Sequence, residues 1–134
     1  MAGITSPVHA VILTVSRELA AQGLAGAPLL FSFRWPSVAY ALDILAWDWF
    51  FALSMIFAAQ AFTGGGRERA ARILMLISGV LSLAGLIGVP MANMSVRNIG
   101  IIGYAVIAIP AFLLMGLAFR QGRGDDTGNG TTTA

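Results

Sequence analysis

The chain has 134 residues, the length of one domain, and 57% of them are hydrophobic while 10% are charged. This composition lies far from that of an average soluble domain, so the apolar excess must face lipid. The chain contains no cysteine, which excludes disulfides, thiolate metal sites and thiol nucleophiles. Its net charge of +2 comes from arginines spread over loops and a tail, a pattern that argues against nucleic-acid binding.

The first segment, residues 1–37, is predicted to hold an N-terminal helix followed by an outer loop. Ser6 is a candidate N-cap, Pro7 suits a first helical turn, and Gly23 is a candidate stop. About sixteen residues at ~1.5 Å each make a helix of about 24 Å, which is short for a membrane span. This helix either lies along the outer interface as an amphipathic helix or forms the end of a tilted fourth span.

Three later segments are long and apolar enough to cross the hydrocarbon core, which takes about 20 residues. They cover residues 38–62, 73–89 and 99–119, and the middle one must run nearly upright or extend into its flanks. They predict an all-α, polytopic helical membrane protein whose small bundle occupies residues 38–119. The polar residues 120–134 are predicted to form a disordered cytoplasmic tail.

The arginines distinguish the two ends of these spans. The turn between the first two spans carries Arg67, Arg69 and Arg72, and further arginines follow the third span. The linker of residues 90–98 carries only Arg97. The positive-inside rule therefore predicts a cytoplasmic C-terminus and an outer linker.

Two aspartates, Asp43 and Asp48, lie inside the first span, in the stretch YALDILAWDWFFAL. Five residues of α-helix turn through about 500°, so the two carboxylates are predicted to point about 140° apart and not to share a proton or an ion. A carboxylate in the membrane interior costs about 2.5–3.5 kcal/mol on insertion scales. Each aspartate is therefore predicted to face the bundle with a partner or to be protonated.

Counting residues inward from the outer surface predicts two polar layers. Asp43 falls in an outer layer, and Asp48 falls in a central layer with no basic residue at its level. Each is either a structural group, with Asp43 in an interfacial ion pair and Asp48 protonated beside a serine, or part of a proton relay, ion site or ligand anchor. The outer layer comprises Asp43, Tyr104, Arg97 and Arg34, and the central layer comprises Asp48, Ser78, Gly79 and Ser82.

Aromatic residues gather toward the outer end of the first span, where an interfacial belt explains most of them. Trp47 lies one turn after Asp43 on the same helical face. A ring beside a carboxylate offers an alternative, a pocket for a cationic or aromatic ligand. The cluster consists of Trp35, Tyr40, Trp47 and Trp49.

The second span carries a face of small residues, in the stretches SGVLS and AGLIG. Such residues let helices approach closely, either within the monomer or between protomers. The small-residue face comprises Ser78, Ser82, Ala84, Gly85 and Gly88.

Motifs of an enzyme or a cofactor protein are absent from the sequence. His9 is the only histidine, which excludes bis-histidine haem ligation within one chain and a histidine metal cluster. There is no nucleotide-binding loop or zinc motif, since GGGRERAAR lacks the lysine and the preceding strand of a phosphate loop. We therefore expect no enzymatic activity, no cofactor and no metal.

The stretches ALDILAWDWFFALSMIFAAQAF, SGVLSLAGLIGVP and RNIGIIGYAV resemble the later spans of small bacterial multi-span integral membrane proteins of unknown function. The resemblance covers residues 30–119 and transfers no functional residue. It implies a location in the bacterial inner membrane, and an N-terminus that is shortened by one span.

Two functions are compatible with these features. The first is a non-catalytic structural or accessory component of a membrane assembly, which packs against itself or against a membrane protein partner through the small-residue face. The second is a small proton- or cation-coupled carrier or channel that uses Asp48. Small drug-efflux proteins share the plan of an acidic residue in a four-helix bundle, but the arginine bias of this chain favours one fixed orientation.

Overall fold

A computed structural model describes residues 2–128, with side chains as far as Arg120. This part of the chain is all-α and contains no strand, and three of its helices are long and apolar enough to cross a membrane. The predicted class, a polytopic helical membrane protein with a small bundle, is confirmed. The helices are α1 (Ala2–Leu13), α2 (Val15–Ala21), α3 (Ala27–Phe31), α4 (Val38–Ala61), α5 (Arg67–Gly88) and α6, which begins at Met94 and ends at Gly128.

The N-terminal helix starts earlier than the sequence pattern indicates. α1 begins at Ala2 and contains Pro7, so the prediction of Ser6 as its N-cap is wrong. Because proline has no N–H, the carbonyl of Gly3 loses its helical hydrogen bond. Only this one bond is lost, and the helix continues past Pro7. α1 packs along α4 and buries Val8. The two alternatives for this helix, a position along the interface or the end of a tilted fourth span, stay predictions.

The stop at Gly23 is confirmed, and its backbone explains it. Gly23 has a φ of +71°, in the left-handed region that glycine adopts without strain. Its N–H donates to the carbonyl of Ala20 at 3.1 Å, and the N–H of Leu24 donates to the carbonyl of Leu19 at 3.3 Å. This pair of bonds is the Schellman motif that closes a helix C-terminus.

Both later spans extend beyond their apolar runs. α5 begins at Arg67, directly after Gly66, whose φ is +56°. The helix is therefore longer than the short apolar run within it. α6 begins at Met94, where the Asn93 side chain accepts hydrogen bonds from the first-turn N–H groups at 3.0 and 3.2 Å. Arg97 therefore lies in the first turn of α6, and its prediction as a linker charge is wrong.

Two of the spans contain a π-helical segment, and the two segments lie side by side in the bundle. Leu45–Phe51 in α4 and Ile102–Ile107 in α6 are π-helical, and the two segments contact each other. Such segments often mark functional sites in helical proteins. Farther along, α6 includes the first part of the predicted tail, while residues 129–134 lie outside the described part of the chain.

The bundle is organised around α5, which contacts both α4 and α6. We call the end that holds the α5–α6 loop the outer end and the end that holds the α4–α5 loop the inner end. The inner half has an apolar core, whereas large apolar side chains such as Phe57, Ile109 and Phe119 are exposed, as lipid-facing residues are. The core comprises Phe51, Met55, Ala59, Phe62, Met75, Ala108, Ala111 and Ala118.

Candidate functional site

Asp43 and Asp48 are both buried, although regular α-helix predicts that they point about 140° apart. Their side chains are only 5% and 0% exposed, and both lie within electrostatic range of Arg97 and of each other. The prediction assumed regular α-helix. The π-helical segment begins at Leu45, between the two residues, and its i→i+5 bonding brings side chains five positions apart closer together.

A buried ion pair forms the centre of the site. Nη2 of Arg97 lies 3.3 Å from Oδ2 of Asp48, and the two side chains are 2% and 0% exposed. The prediction that Asp48 has no basic residue at its level is therefore wrong. Counting residues estimates the depth of each Cα, but an arginine side chain reaches well beyond its own Cα.

The serines of the predicted central layer are fully buried near this pair but do not bond to it. Ser78 Oγ donates to the carbonyl of Gly103 at 2.8 Å. Neither carboxylate oxygen of Asp48 has a hydrogen-bond partner among the described residues, and the same holds for Ser82 Oγ. The prediction of a serine-bonded Asp48 is wrong, because Ser78 satisfies a backbone carbonyl of α6 instead.

The small-residue face of α5 is used inside the monomer. A Cβ placed on Gly85 would lie 2.7 Å from the Cα of Gly100, and one placed on Gly88 would collide with the backbone at Arg97. Of the face, Ser78, Ser82, Gly85 and Gly88 are buried and Ala84 is half-buried. The prediction that a partner packs against this face is therefore corrected, because α6 already covers it.

Glycines on α6 were missed in the sequence pattern. Gly100 and Gly103 lie against Asp48 and the two serines, where any side chain would collide. The stretch RNIGIIGY carried the signal, two glycines one turn apart that complement the small residues of α5.

A pocket of about 340 Å³ lies on the outer side of the ion pair. It brings together Asp43, Arg97 and Tyr104 of the predicted outer layer, whereas Arg34 is exposed and does not line it. The indole N–H of Trp47 interacts with the Asp43 carboxylate as a hydrogen-bond donor. The pocket is lined by His9, Phe33, Tyr40, Asp43, Trp47, Arg97, Ile101 and Tyr104.

The predicted aromatic cluster divides into two parts. Trp47 stacks on Tyr104 with ring centroids 5.1 Å apart, and the Arg97 guanidinium lies 5.5 Å from the Tyr40 ring centroid and 5.9 Å from that of Tyr104. Trp35 and Trp49 are exposed, as an interfacial belt predicts. Only Tyr40 and Trp47 of this cluster line the pocket.

Two lining residues, His9 and Phe33, come from the N-terminal part and were not predicted. Their rings lie 5.7 Å apart, and His9 Nδ1 lies 2.8 Å from the carbonyl oxygen of Thr5. Nothing local in the sequence marks either residue, because they reach the pocket only when α1 and the α3–α4 loop fold against α4.

The described residues contain no group of three or more His, Cys, Asp or Glu side chains that could hold a metal ion. The fold and the site define an all-α polytopic membrane protein with a buried ion pair at its centre. Comparison with protein-family models, curated proteins and solved structures gives no match to this chain.

Proposed function

We propose that the protein is a non-catalytic integral membrane protein of the bacterial inner membrane, a structural or accessory component of a membrane assembly. The observation that carries this proposal is the enclosure of Asp48, the group that a carrier would use. Asp48 is 0% exposed, pairs with Arg97 and is covered by Gly100. A carboxylate that binds a transported ion has to exchange it with a water-filled path.

The packing below the ion pair also favours a structural role over a carrier. On the inner side of Asp48 lies the apolar core, whose buried side chains include Phe51, Met55 and Met75. A proton or cation that reached Asp48 would find no polar side chain of this core to continue along. The ion pair instead joins α4 to α6, and Ser78 joins α5 to α6.

A transport assay combined with native mass spectrometry tests the proposal. The double variant Asp48→Asn/Arg97→Gln removes one negative and one positive charge, so the net charge of the site does not change. We expect both the wild type and this double variant to show the same oligomer or bound partner in mild detergent, and neither to conduct protons or monovalent cations in liposomes. Glu68→Gln in the first turn of α5, at the inner end of the bundle, is the control. A flux that the double variant loses and the control keeps would establish the carrier function instead.

The proposed orientation places the C-terminus in the cytoplasm. Exposed Arg67 and Arg69 lie at the inner end, whereas Arg97 is buried in its ion pair and leaves no arginine in the α5–α6 loop. The positive-inside rule then favours an inner end that faces the cytoplasm.

Single cysteines test this orientation, because the chain has none of its own. Thr63→Cys and Ser95→Cys replace exposed residues at the inner and outer ends. In spheroplasts, a membrane-impermeant maleimide is expected to label Ser95→Cys directly and Thr63→Cys only after permeabilisation. The opposite labelling would reverse the orientation.

A further inference from the structure

The outer pocket contains a carboxylate that its surroundings do not fully satisfy. Asp43 is 5% exposed and lines the pocket, and its Oδ1 has no hydrogen-bond partner among the residues that the structure describes. Buried polar atoms nearly always have a partner, because an unpaired one keeps the full desolvation cost. This oxygen therefore points to a ligand that supplies a donor.

The charges around the pocket specify the sign of that ligand. Arg97 and Asp48 neutralise each other at 3.3 Å, which leaves the carboxylate of Asp43 as the remaining formal charge when His9 is neutral. A positively charged donor would compensate this charge and form a charge-assisted hydrogen bond. The aromatic walls favour a cation as well, since ring faces attract positive charge.

We propose that this pocket binds a primary ammonium group, with Asp43 as its acceptor. A primary ammonium carries the N–H that Asp43 Oδ1 lacks, whereas a quaternary ammonium has none. Tyr40 and Tyr104 pack near the Arg97 guanidinium and Trp47 stacks on Tyr104, so an ammonium held by Asp43 would lie among rings that already surround one cation. This inference goes beyond the structural role proposed above and does not depend on it.

Two sources can supply this chemistry, a small free amine or the ethanolamine headgroup of a lipid. The pocket volume of about 340 Å³ suits either of them. Its walls come from α1, the α3–α4 loop and the outer parts of α4 and α6, so it lies toward the outer end of the bundle, where headgroups are found.

Trp47 provides the readout, because it lines the pocket while Trp35 and Trp49 are exposed. In a Trp35→Phe/Trp49→Phe background, Trp47 is the only tryptophan, and excitation at the red edge of its absorption avoids the tyrosines. The protein is placed in nanodiscs of phosphatidylcholine, a lipid that has no primary amine. It is titrated with ethanolamine or tetramethylammonium at constant ionic strength. The titration is carried out at pH 8. We expect a saturable change with ethanolamine and none with tetramethylammonium.

Variants separate the pocket from general charge effects. Asp43→Asn should weaken ethanolamine binding at least about tenfold, since it removes a charge-assisted hydrogen bond. Glu18→Gln removes an exposed carboxylate on α2 outside the pocket and should leave binding unchanged. Ile101→Phe fills part of the pocket without changing its charge and should weaken binding as well, which provides a second test if Asp43→Asn does not fold.

Replacing phosphatidylcholine with phosphatidylethanolamine distinguishes the two sources. If the lipid headgroup occupies the pocket, Trp47 fluorescence changes on this exchange in an Asp43-dependent manner and ethanolamine no longer titrates. If a free amine is the ligand, the ethanolamine titration is the same in both lipids. The proposal is overturned if neither ethanolamine nor the lipid exchange changes Trp47 fluorescence, or if Asp43→Asn and Ile101→Phe respond as the wild type does.

Discussion

Replacing Arg97 with methionine is expected to lower the free energy of unfolding by about 3–5 kcal/mol, the usual cost of removing one partner from a buried ion pair. The substitution leaves Asp48, which is 0% exposed, without its only salt-bridge partner among the described residues. It also removes the guanidinium that lies over Tyr40 and Tyr104. Unfolding by sodium dodecyl sulfate in mixed micelles, followed by circular dichroism, measures the difference.

Two further variants make this result interpretable. Arg34→Met removes an exposed arginine near the same end of the bundle and should change stability by less than about 0.5 kcal/mol. Asp48→Asn combined with Arg97→Met should recover much of the loss, because the uncompensated charge is then gone. If Arg97→Met is no more destabilising than Arg34→Met, the ion pair does not hold α4 and α6 together.

Replacing Gly103 with alanine should destabilise the bundle by about 1–3 kcal/mol through overpacking. The added Cβ would lie 2.6 Å from the carbonyl oxygen of Ser78, 2.7 Å from Ser82 Oγ and 2.8 Å from the Ser82 backbone nitrogen. Two of these atoms belong to the backbone of α5, so a side-chain rotation cannot relieve the clash. α5 and α6 must separate, which also stretches the hydrogen bond from Ser78 Oγ to the carbonyl of Gly103.

Gly116 is the matched control for this substitution. It lies on the same helix, and a Cβ placed on it would have no neighbouring atom within 4 Å. Gly116→Ala should leave stability unchanged or raise it by up to about 1 kcal/mol, because alanine is the better helix former. The same unfolding assay measures both variants. Equal effects at positions 103 and 116 would contradict the close approach of α5 and α6.

Some features of the site could be predicted because they depend on residue type and depth alone. Both aspartates are buried, as the cost of an exposed carboxylate in lipid requires. Ser78 and Ser82 lie in the interior near Asp48, because small polar residues on one face of a span permit close packing. Asp43, Arg97 and Tyr104 share the outer pocket, as their depths indicated.

The pairing of these groups depends on local winding and on side-chain reach, neither of which a helical wheel contains. The π-helical segment that begins at Leu45 changes the angle between Asp43 and Asp48 from that of a regular α-helix, although no glycine or proline marks it. The apolar pattern places Arg97 in a loop, because hydropathy does not define where a helix starts. The Asn93 cap includes it in α6, from which it reaches Asp48.

The sequence by itself determined that this is a helical membrane protein with three apolar spans, because lipid requires long apolar runs whose backbone groups are bonded within each helix. It also determined the stop at Gly23, which needs only local backbone chemistry. The tertiary structure alone decided that Arg97 neutralises Asp48, that α6 covers the small-residue face of α5, and that His9 and Phe33 complete the outer pocket. These outcomes depend on contacts between segments distant in the chain, which become favourable only when the helices pack.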